Sequence, residues 1–217
     1  LNGSIAKEPG EHLDAKQLVI RHKLIAAVEH HHANGLSNEE AVATYLRETA
    51  FTTLNRFVAL KMLEVRELVQ ECISRGDQSA GFKEFSGLAP GLVHLADHGY
   101  RLYIESLFDE IGREVRVLFD RRDSASLLWP RRQTIQDLLV ILNTQDLATV
   151  WNEDETIGWV YQYFNGEDER KKMRDESSAP RNSRELAVRN QFFTPRYVVQ
   201  FLVDNTVGRT WFEMMKG

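Results

Sequence analysis

Apolar side chains that recur at helical spacing constrain the fold of this chain more than any other feature. The clearest run lies between Phe51 and Gly76, and its apolar positions are Leu54, Phe57, Val58, Met62, Val65, Leu68, Val69 and Cys72. This spacing places them on one face of a helix that is predicted to end near Gly76. Runs of alternating apolar and polar residues are scarce. The fold is therefore predicted to be mainly α, with an irregular multi-helix domain over residues 1–150 and a helical connector over 151–217.

Capping and turn residues place the boundaries of the other predicted elements. Ser37, with Glu40 three residues later, forms a capping-box pattern, so a helix should begin near Asn38. Further helices are predicted over residues 11–32, 98–120, 135–143 (capped by Thr134) and 154–166. The Gly/Ser/Pro-rich residues 76–91 are predicted to form a loop. Residues 167–189 are predicted to run from a solvated helix end into a mobile loop, because little apolar area offsets their ordering entropy.

Composition excludes several classes of protein. With 217 residues, of which 42% are hydrophobic, the chain can bury a sizeable core, and no apolar run reaches the ~20 residues that span a bilayer. Cys72 is the single cysteine, which excludes an internal disulfide and a paired-cysteine zinc site and favours a reducing cytoplasm. The first residues lack the pattern of a signal peptide, and the chain is expected to be a piece of something longer. A net charge of −5 argues against DNA binding by this chain alone, while a local basic face stays open.

Three charged or aromatic groups could suggest chemistry, and each has a simpler interpretation. The histidine run 30–32 cannot face one metal ion, because adjacent side chains on a helix point in different directions, so a polar helix end explains it better. The run Asp120–Asp123 fits a solvated face with local ion pairs better than paired catalytic carboxylates. Trp129 beside Arg131 and Arg132 could stack on nucleic acid, or could belong to a surface loop with incidental arginines.

The most distinctive segment is 189–208, which reads RNQFFTPRYVVQFLVDNTVG. Thr194 fits an N-cap and Pro195 fits the first helical position. The buried stripe of this helix is predicted to be Val198, Val199, Leu202 and Val203. A capped helix N-terminus offers free N–H groups and a partial positive charge, and Phe192 and Phe193 could line an apolar wall beside it. Such a site would suit an amphipathic ligand with an anionic end; the alternative is an ordinary capped helix.

Three stretches, in this order along the chain, resemble one family of enzymes. They are FTTLNRFVALKMLEVR (51–66), IGWVYQYFN (157–165) and NQFFTPRYVVQFLVDNTVGRTW (190–211). They resemble blocks of the large adenine-specific DNA methyltransferases of phage-defence systems, namely the BREX (phage growth limitation) methyltransferases and the related single-chain type IIG restriction–modification enzymes. The last block resembles the one that precedes the catalytic domain of those enzymes. Residues 76–150 match only as a helical region of similar size.

The resemblance implies a cofactor contact in the last block. Phe193, Thr194 and Pro195 would touch the methionine end of S-adenosylmethionine, ahead of a Rossmann-like domain that completes the site. In that family an acidic Gly-rich cofactor loop and an Asn/Asp-Pro-Pro-Tyr/Phe catalytic motif follow this block, and neither motif occurs in these 217 residues. We therefore expect no catalytic and no metal-ligating residue in this chain.

Two functions from different classes follow. The resemblance implies the N-terminal helical region of an S-adenosylmethionine-dependent adenine-specific DNA methyltransferase, inactive and without cofactor affinity in isolation. Its parent protein would methylate the exocyclic amine of a flipped adenine. The expected partners are double-stranded DNA, through the parent, and the remaining methyltransferase domain, with no membrane. The alternative is a helical protein-interaction module that has no cofactor and whose Thr-Pro helix is only structural.

Overall fold

The computed structural model describes residues 5–6, 8–95, 99–190 and 192–216. The contacts of the chain form two compact units, Leu1–Trp151 (unit 1) and Asn152–Gly217 (unit 2). Unit 1 contains α1 (Ala15–Ala33), α2 (Asn38–Val65), α3 (Ala80–Leu88), α4 (Tyr100–Ile111), α5 (Arg116–Phe119) and α6 (Arg132–Leu142). Unit 2 contains α7 (Thr156–Phe164), α8 (Glu167–Glu176), α9 (Ser183–Asn190), α10 (Arg196–Val203) and α11 (Arg209–Lys216). No strand occurs within the described ranges, so the prediction of a mainly α fold is confirmed.

Side-chain caps fix the starts of the first two helices. At α2 the Ser37 hydroxyl accepts from the N–H of Glu40 (3.3 Å), and the Glu40 carboxylate accepts from the N–H of Ser37 (2.9 Å). The predicted capping box is thereby confirmed. Asp14 and Gln17 form the same reciprocal arrangement at α1. That helix therefore begins directly after Asp14 and not at Glu11, as the sequence pattern had indicated.

The core of unit 1 forms around α2. Phe57 is fully buried there, and its ring meets that of Phe108 in α4 edge to face, with the centroids 6.5 Å apart. Arg56 is also buried, and its guanidinium donates to the carbonyl of Leu118 (2.7 Å) and to the carbonyl of Asp120 (3.0 Å). Because a buried guanidinium must find acceptors, these two bonds fix the end of α5 against α2.

The helix that the strongest apolar run predicts ends at Val65 and not near Gly76, so that part of the prediction was wrong. Glu67 has a φ of 58°, which takes the chain out of the helix. Cys72 is fully buried, as its place in the apolar run predicted, but it reaches the core from a returning loop. The spacing identified the apolar positions correctly and misjudged the backbone that carries them.

The carboxylate of Glu64 explains why the chain turns back. Its Oε2 accepts from the N–H groups of Cys72 (2.6 Å) and Ile73 (2.5 Å), and its Oε1 accepts from the N–H of Ser74 (3.1 Å). The Ser74 hydroxyl also donates to Oε1. One buried side chain therefore supplies acceptors for three consecutive N–H groups that have no helical partner.

Lys61 completes this buried polar cluster. Its Nζ lies 3.3 Å from Oε1 of Glu64, and it donates to Oγ of Ser74 (2.6 Å) and to Oδ1 of Asn143 (2.8 Å). Both charged side chains of the pair are 7% exposed. Since Asn143 directly follows α6, the cluster joins the end of α2, the returning loop and the end of α6. We call these four residues the Glu64 clamp.

Residues 76–91 contain α3, so the predicted loop was wrong. The Ser79 hydroxyl caps this helix by accepting from the N–H of Phe82 at 3.4 Å. Phe82 packs on Tyr100 and Tyr103 of α4, with both ring centroids 5.8 Å away. The burial of one aromatic ring orders a segment whose Gly/Ser/Pro content is typical of loops.

Two other predicted helices have different limits in the structure. The helix predicted over 98–120 divides into α4 and α5, because the chain turns so that Phe119 packs on Phe108 with ring centroids 5.5 Å apart. Residue 98 lies outside the described residues. The helix predicted over 135–143 begins before Thr134, which is therefore not its cap.

Residues 167–189, predicted to run from a solvated helix end into a mobile loop, contain α8 and most of α9, so the loop prediction was wrong where α9 forms. Met173 and Val188 are buried on these two helices. The buried Arg189 guanidinium donates to the carbonyls of residues 177–178 (3.2 and 3.1 Å) in the turn between the helices. The burial of Met173 and Val188 and the hydrogen bonds of Arg189 thus order a segment whose charge content alone predicts a loop.

α10 continues into α11 through a π-helical turn at Asp204–Gly208. The predicted buried stripe was wrong, since Val199, Leu202 and Val203 are 45%, 54% and 50% exposed. The exposed apolar side chains of these two helices, here called the C-terminal apolar face, are Tyr197, Val199, Phe201, Leu202, Val203, Trp211, Phe212, Met214 and Met215. In the part of the chain that the structure describes, no helix has both the length and the apolar character needed to cross a membrane.

The Glu64 clamp predicts a large effect of one substitution. Glu64→Ala should lower the free energy of unfolding by about 3–5 kcal/mol, because Lys61 and three N–H groups would stay buried without their acceptor. Urea unfolding followed by circular dichroism measures the change. Glu29→Ala, at an exposed position of α1, is the matched control and should change the free energy of unfolding by less than about 0.5 kcal/mol. Equal effects of the two substitutions would contradict the clamp.

The same clamp predicts a pH dependence with a definite sign. Burial alone would raise the pKa of Glu64, but the hydrogen bonds from Ser74, Ile73 and Cys72 outweigh it and hold the pKa below its ordinary value of 4.5. A carboxyl group with a depressed pKa stabilises the fold above its ordinary pKa and loses that contribution as the pH falls. The stability difference between the wild-type chain and Glu64→Ala should therefore shrink as the pH is lowered below 4.5.

Candidate functional site

The Phe-Thr-Pro segment lies between α9 and α10 and packs on α7, all within unit 2. The half-buried Phe193 ring has its centroid 5.3 Å from that of Trp159, and the two planes are inclined by 59°. The second and third blocks of the family resemblance, 157–165 and 190–211, are therefore in direct contact. We call residues 193–196 the Thr-Pro turn.

Two side chains hold the backbone of the Thr-Pro turn at its two ends. Oε1 of Gln162, in α7, accepts from the N–H of Phe193 at 2.8 Å. Oε1 of Glu155, which directly precedes α7, accepts from the N–H of Arg196 at 2.6 Å. The second N–H belongs to the first residue of α10, where no carbonyl of that helix can accept it.

Gly158 leaves the space that the Phe193 ring occupies. A Cβ atom at this position would lie 2.0 Å from Cδ2 and 2.1 Å from Cε2 of the ring. Atoms cannot approach so closely, so a larger residue at 158 would have to displace the ring. The glycine is therefore needed for the close approach of α7 and the Thr-Pro turn.

The predicted cap of α10 was wrong in its assignment of residues. α10 begins at Arg196, and Pro195 (φ −58°, ψ 145°) stands at the N-cap position without a side-chain hydrogen bond. The Thr194 side chain is exposed and makes no hydrogen bond to another described residue. The carboxylate of Glu155, distant in sequence, supplies the acceptor that Thr194 was expected to supply. The protein's own anion thus occupies part of the helix end that was predicted to attract a ligand's anion.

Phe192 and Phe193 do not form one wall. Phe193 packs on α7, whereas the Phe192 ring lies 5.3 Å from the guanidinium carbon of Arg170 in α8. Arg170 is itself buried and donates to the carbonyl of Gln162 at 3.0 Å. The two phenylalanines therefore tie the same segment to two different helices, and Phe193 is the ring beside Thr194 and Pro195.

The charge run Asp120–Asp123 forms local ion pairs, in agreement with the simpler interpretation. The carboxylate of Asp120 accepts from Nε of Arg122 (3.0 Å) and from its N–H (2.9 Å), and it also accepts from Nε of Arg116 (3.3 Å). These bonds, first the one from the Arg122 side chain, hold the pKa of Asp120 well below its usual range. Asp123 accepts instead from the N–H of Ala125 at 2.8 Å. The two carboxylates have separate structural partners and do not act as a pair.

The histidine run also has structural partners. Nε2 of His31 lies 3.2 Å from a carboxylate oxygen of Glu48, and Nδ1 of His32 lies 2.6 Å from the carbonyl oxygen of Leu36. The rings of neighbouring histidines therefore turn to different partners. Among the residues that the structure describes, no group of three or more His, Cys, Asp or Glu side chains could hold a metal ion.

Trp129 and Arg132 line a cavity of about 570 Å³ in unit 1, between α6 and the turn at residues 73–77. The guanidinium of Arg101 lies 5.2 Å from the Trp129 ring centroid, and the Phe57 ring lies 6.1 Å away. Trp129 therefore has packing partners within unit 1, which favours a structural role for it over nucleic-acid stacking.

Sequence reasoning missed the residues that shape the Thr-Pro turn. Gly158 and Gln162 stand in the block 157–165, but no individual role was predicted for either residue. Glu155 lies just outside that block, and its carboxylate acts across 41 residues on Arg196. The resemblance of both blocks to one family was the signal that could have suggested a contact between them.

The resemblance to adenine-specific methyltransferases is confirmed by comparison with known proteins. The chain is 22% identical, over 236 aligned residues, to the adenine-specific methyltransferase PglX of Lacticaseibacillus casei (strain Zhang). It is 28% identical over 148 residues to the adenine-specific methyltransferase BrxX of Escherichia coli O9:H4 (strain HS). The alignments cover 90% and 68% of this chain but only 18% and 10% of the relatives. No family model and no solved structure matches the chain.

The contact at Gly158 predicts a position that does not tolerate a methyl group. Gly158→Ala should lower the free energy of unfolding of the chain by about 1–3 kcal/mol, because the Phe193 ring must leave α7. Thermal unfolding followed by circular dichroism measures this. Gly166→Ala is the control in the same unit, since a Cβ there meets no atom within 4 Å and its φ of −53° suits alanine. If Gly158→Ala is no less stable than the control, the ring does not sit against residue 158.

Proposed function

We propose that this chain is the N-terminal helical region of an S-adenosylmethionine-dependent adenine-specific DNA methyltransferase of a restriction–modification or phage-defence system, and that it is inactive in isolation. The observation that carries the proposal is the contact between two separate blocks of the resemblance. Gln162 and Trp159 of block 157–165 hold Phe193 of block 190–211. Residues that resemble the same enzymes in sequence thereby meet at one place, the Thr-Pro turn. A shared task at that turn accounts for both blocks.

The proposed cofactor contacts are Phe193, Thr194 and Pro195, at the methionine end of S-adenosylmethionine. The residues suit this role, because Thr194 presents an exposed hydroxyl beside the half-buried ring of Phe193. An exposed helix end attracts a carboxylate by only ~0.3–1 kcal/mol. Micromolar binding needs roughly 8 kcal/mol. Cofactor affinity therefore requires further groups, which we assign to a Rossmann-like domain of the parent protein.

The C-terminal apolar face supports a second domain as partner. Large exposed apolar patches mark interaction surfaces. On α10 and α11, Phe201 and Trp211 are 64% and 63% exposed. We assign the remaining methyltransferase domain to this face. The proposed substrate of the whole protein is double-stranded DNA. The net charge of −5 gives this chain little electrostatic affinity for phosphate, so we assign DNA binding to other parts of that protein.

The same apolar face is the observation that favours the alternative, a helical protein-interaction module without a cofactor. In that case an unrelated protein covers the face and the Thr-Pro turn only caps α10. The two functions differ in one measurable property, the effect of Thr194 on cofactor affinity.

In a full-length protein that contains this chain, Thr194→Ala should weaken S-adenosylmethionine binding at least fivefold, measured by isothermal titration calorimetry. The side chain makes no hydrogen bond to another described residue, so its removal should leave the melting temperature unchanged. Thr149→Ala, at another exposed threonine, is the control and should leave both quantities unchanged. Equal affinity of Thr194→Ala and the wild-type protein would overturn the site and favour the interaction module.

The 217-residue chain by itself should transfer no methyl group to DNA, because it lacks the motif with which the resembled enzymes hold the target adenine. The measurement uses labelled S-adenosylmethionine and unmethylated double-stranded DNA, with a full-length protein as positive control. Transfer by the isolated chain would contradict the proposed division of labour.

A further inference from the structure

We propose that Gln162 and Glu155 are positioning residues for the cofactor, which bind the backbone N–H groups at both ends of the Thr-Pro turn and leave the N–H and hydroxyl of Thr194 for the ligand. This inference rests on the proposed function and adds residues to which no role in the site had been assigned. Four observations within unit 2 support it. They are the hydrogen bonds accepted by Gln162 and by Glu155, the close approach of the Phe193 ring to Gly158, and the missing N–H of Pro195.

The donors of the turn can be counted residue by residue. The N–H of Phe193 is bound to Oε1 of Gln162 at 2.8 Å, and the N–H of Arg196 is bound to Oε1 of Glu155 at 2.6 Å. Pro195 has no N–H. Among the backbone N–H groups of residues 193–196, only that of Thr194 makes no bond to another described residue, and the Thr194 hydroxyl makes none either; the Arg196 guanidinium is a further, exposed side-chain donor.

The conformation of the turn depends on both acceptors. Pro195 is extended (φ −58°, ψ 145°), and the helix starts only after it. If Gln162 released the N–H of Phe193, the ring would lose its register above Gly158, where it fits only because no Cβ is present. If Glu155 released the N–H of Arg196, the first turn of α10 would lose an acceptor for an N–H that the helix cannot satisfy. Either loss would move Thr194 relative to α7.

The position of Thr194 matters more than the strength of any one bond. A ligand contact is productive only when the donor is held within about 0.5 Å of the required place. Gln162 and Glu155 are both half-buried, and Gln162 stands on a helix. Within α10 the Pro195 carbonyl accepts from the N–H groups of Val198 (3.0 Å) and Val199 (3.3 Å), whereas the N–H of Phe193 depends on an acceptor from α7.

Paired substitutions separate the acceptor from the shape of the side chain. Gln162→Leu removes the acceptor at nearly constant volume, and Gln162→Glu restores an Oε acceptor. Gln145→Leu, at an exposed position of unit 1, is the control. For the second bond, Glu155→Leu and Glu155→Gln form the equivalent pair.

Two measurements are made on these variants. Amide hydrogen exchange of the 217-residue chain, followed by nuclear magnetic resonance, reports the N–H groups of Phe193 and Arg196. We expect exchange at Phe193 to accelerate at least tenfold in Gln162→Leu, and to stay within threefold of wild type in Gln162→Glu and in the control. Calorimetry on a full-length protein should show at least a tenfold weaker affinity for S-adenosylmethionine in Gln162→Leu, with recovery in Gln162→Glu.

Hydrogen exchange and cofactor affinity test different parts of the inference. Unchanged exchange at Phe193 in Gln162→Leu overturns the positioning role, whatever the cofactor affinity. Faster exchange with unchanged affinity shows that the turn is held but is not the cofactor contact, which overturns the proposed site. Loss of affinity in Gln162→Leu without recovery in Gln162→Glu, at normal melting temperature, also counts against the acceptor and assigns the effect to another property of the side chain.

Discussion

The Glu64 clamp is the interaction on which the rest of unit 1 depends. A helix of 28 residues, α2, must stop and the chain must return along it, and the described part of the chain contains no strand that could accept its backbone N–H groups. Glu64 solves this by accepting from three consecutive N–H groups, and Lys61 balances its charge. Since buried donors without acceptors are costly, the returning loop has one favourable path. That path delivers Cys72 and Ile73 to the core.

Carboxylates also accept from backbone N–H groups at the starts of three other helices. Glu71 accepts from the N–H of Ala80 at 2.9 Å before α3, and Glu185 accepts from the N–H of Arg181 at 2.8 Å before α9. Glu155 does so at the start of α10. Carboxylates at helix N-termini also meet a favourable partial charge. These carboxylates supply acceptors for backbone N–H groups that have no partner within a helix.

At the Thr-Pro turn this solution has a consequence for function. The anion that accepts from the first N–H of α10 belongs to the protein, since it is the carboxylate of Glu155. At the proposed cofactor site, a ligand would meet Thr194 and Phe193 and would not itself have to cap the helix. Preordered contacts lower the entropic cost of binding, but so few of them cannot provide micromolar affinity. This is the physical reason for assigning the remainder of the cofactor site to another domain, on the side of the chain where α10 and α11 expose their apolar face.

Features that depend on neighbours within one helical turn could be predicted from the sequence alone. The helical class followed from apolar spacing, and the start of α2 followed from Ser37 and Glu40, because a capping box joins residues three apart. The end of α2 depends on tertiary contacts, since the deciding bonds reach from Glu64 to Ser74. So does the helix α3 within residues 76–91, because Phe82 packs on Tyr100 and Tyr103 of another helix. The candidate site divides in the same way: its residues Phe193, Thr194 and Pro195 were implied by the family resemblance of one continuous segment, whereas Glu155 and Gln162 act across 41 and 31 residues. Local patterns fix which backbone groups need partners, and only the folded chain settles which distant side chains satisfy them.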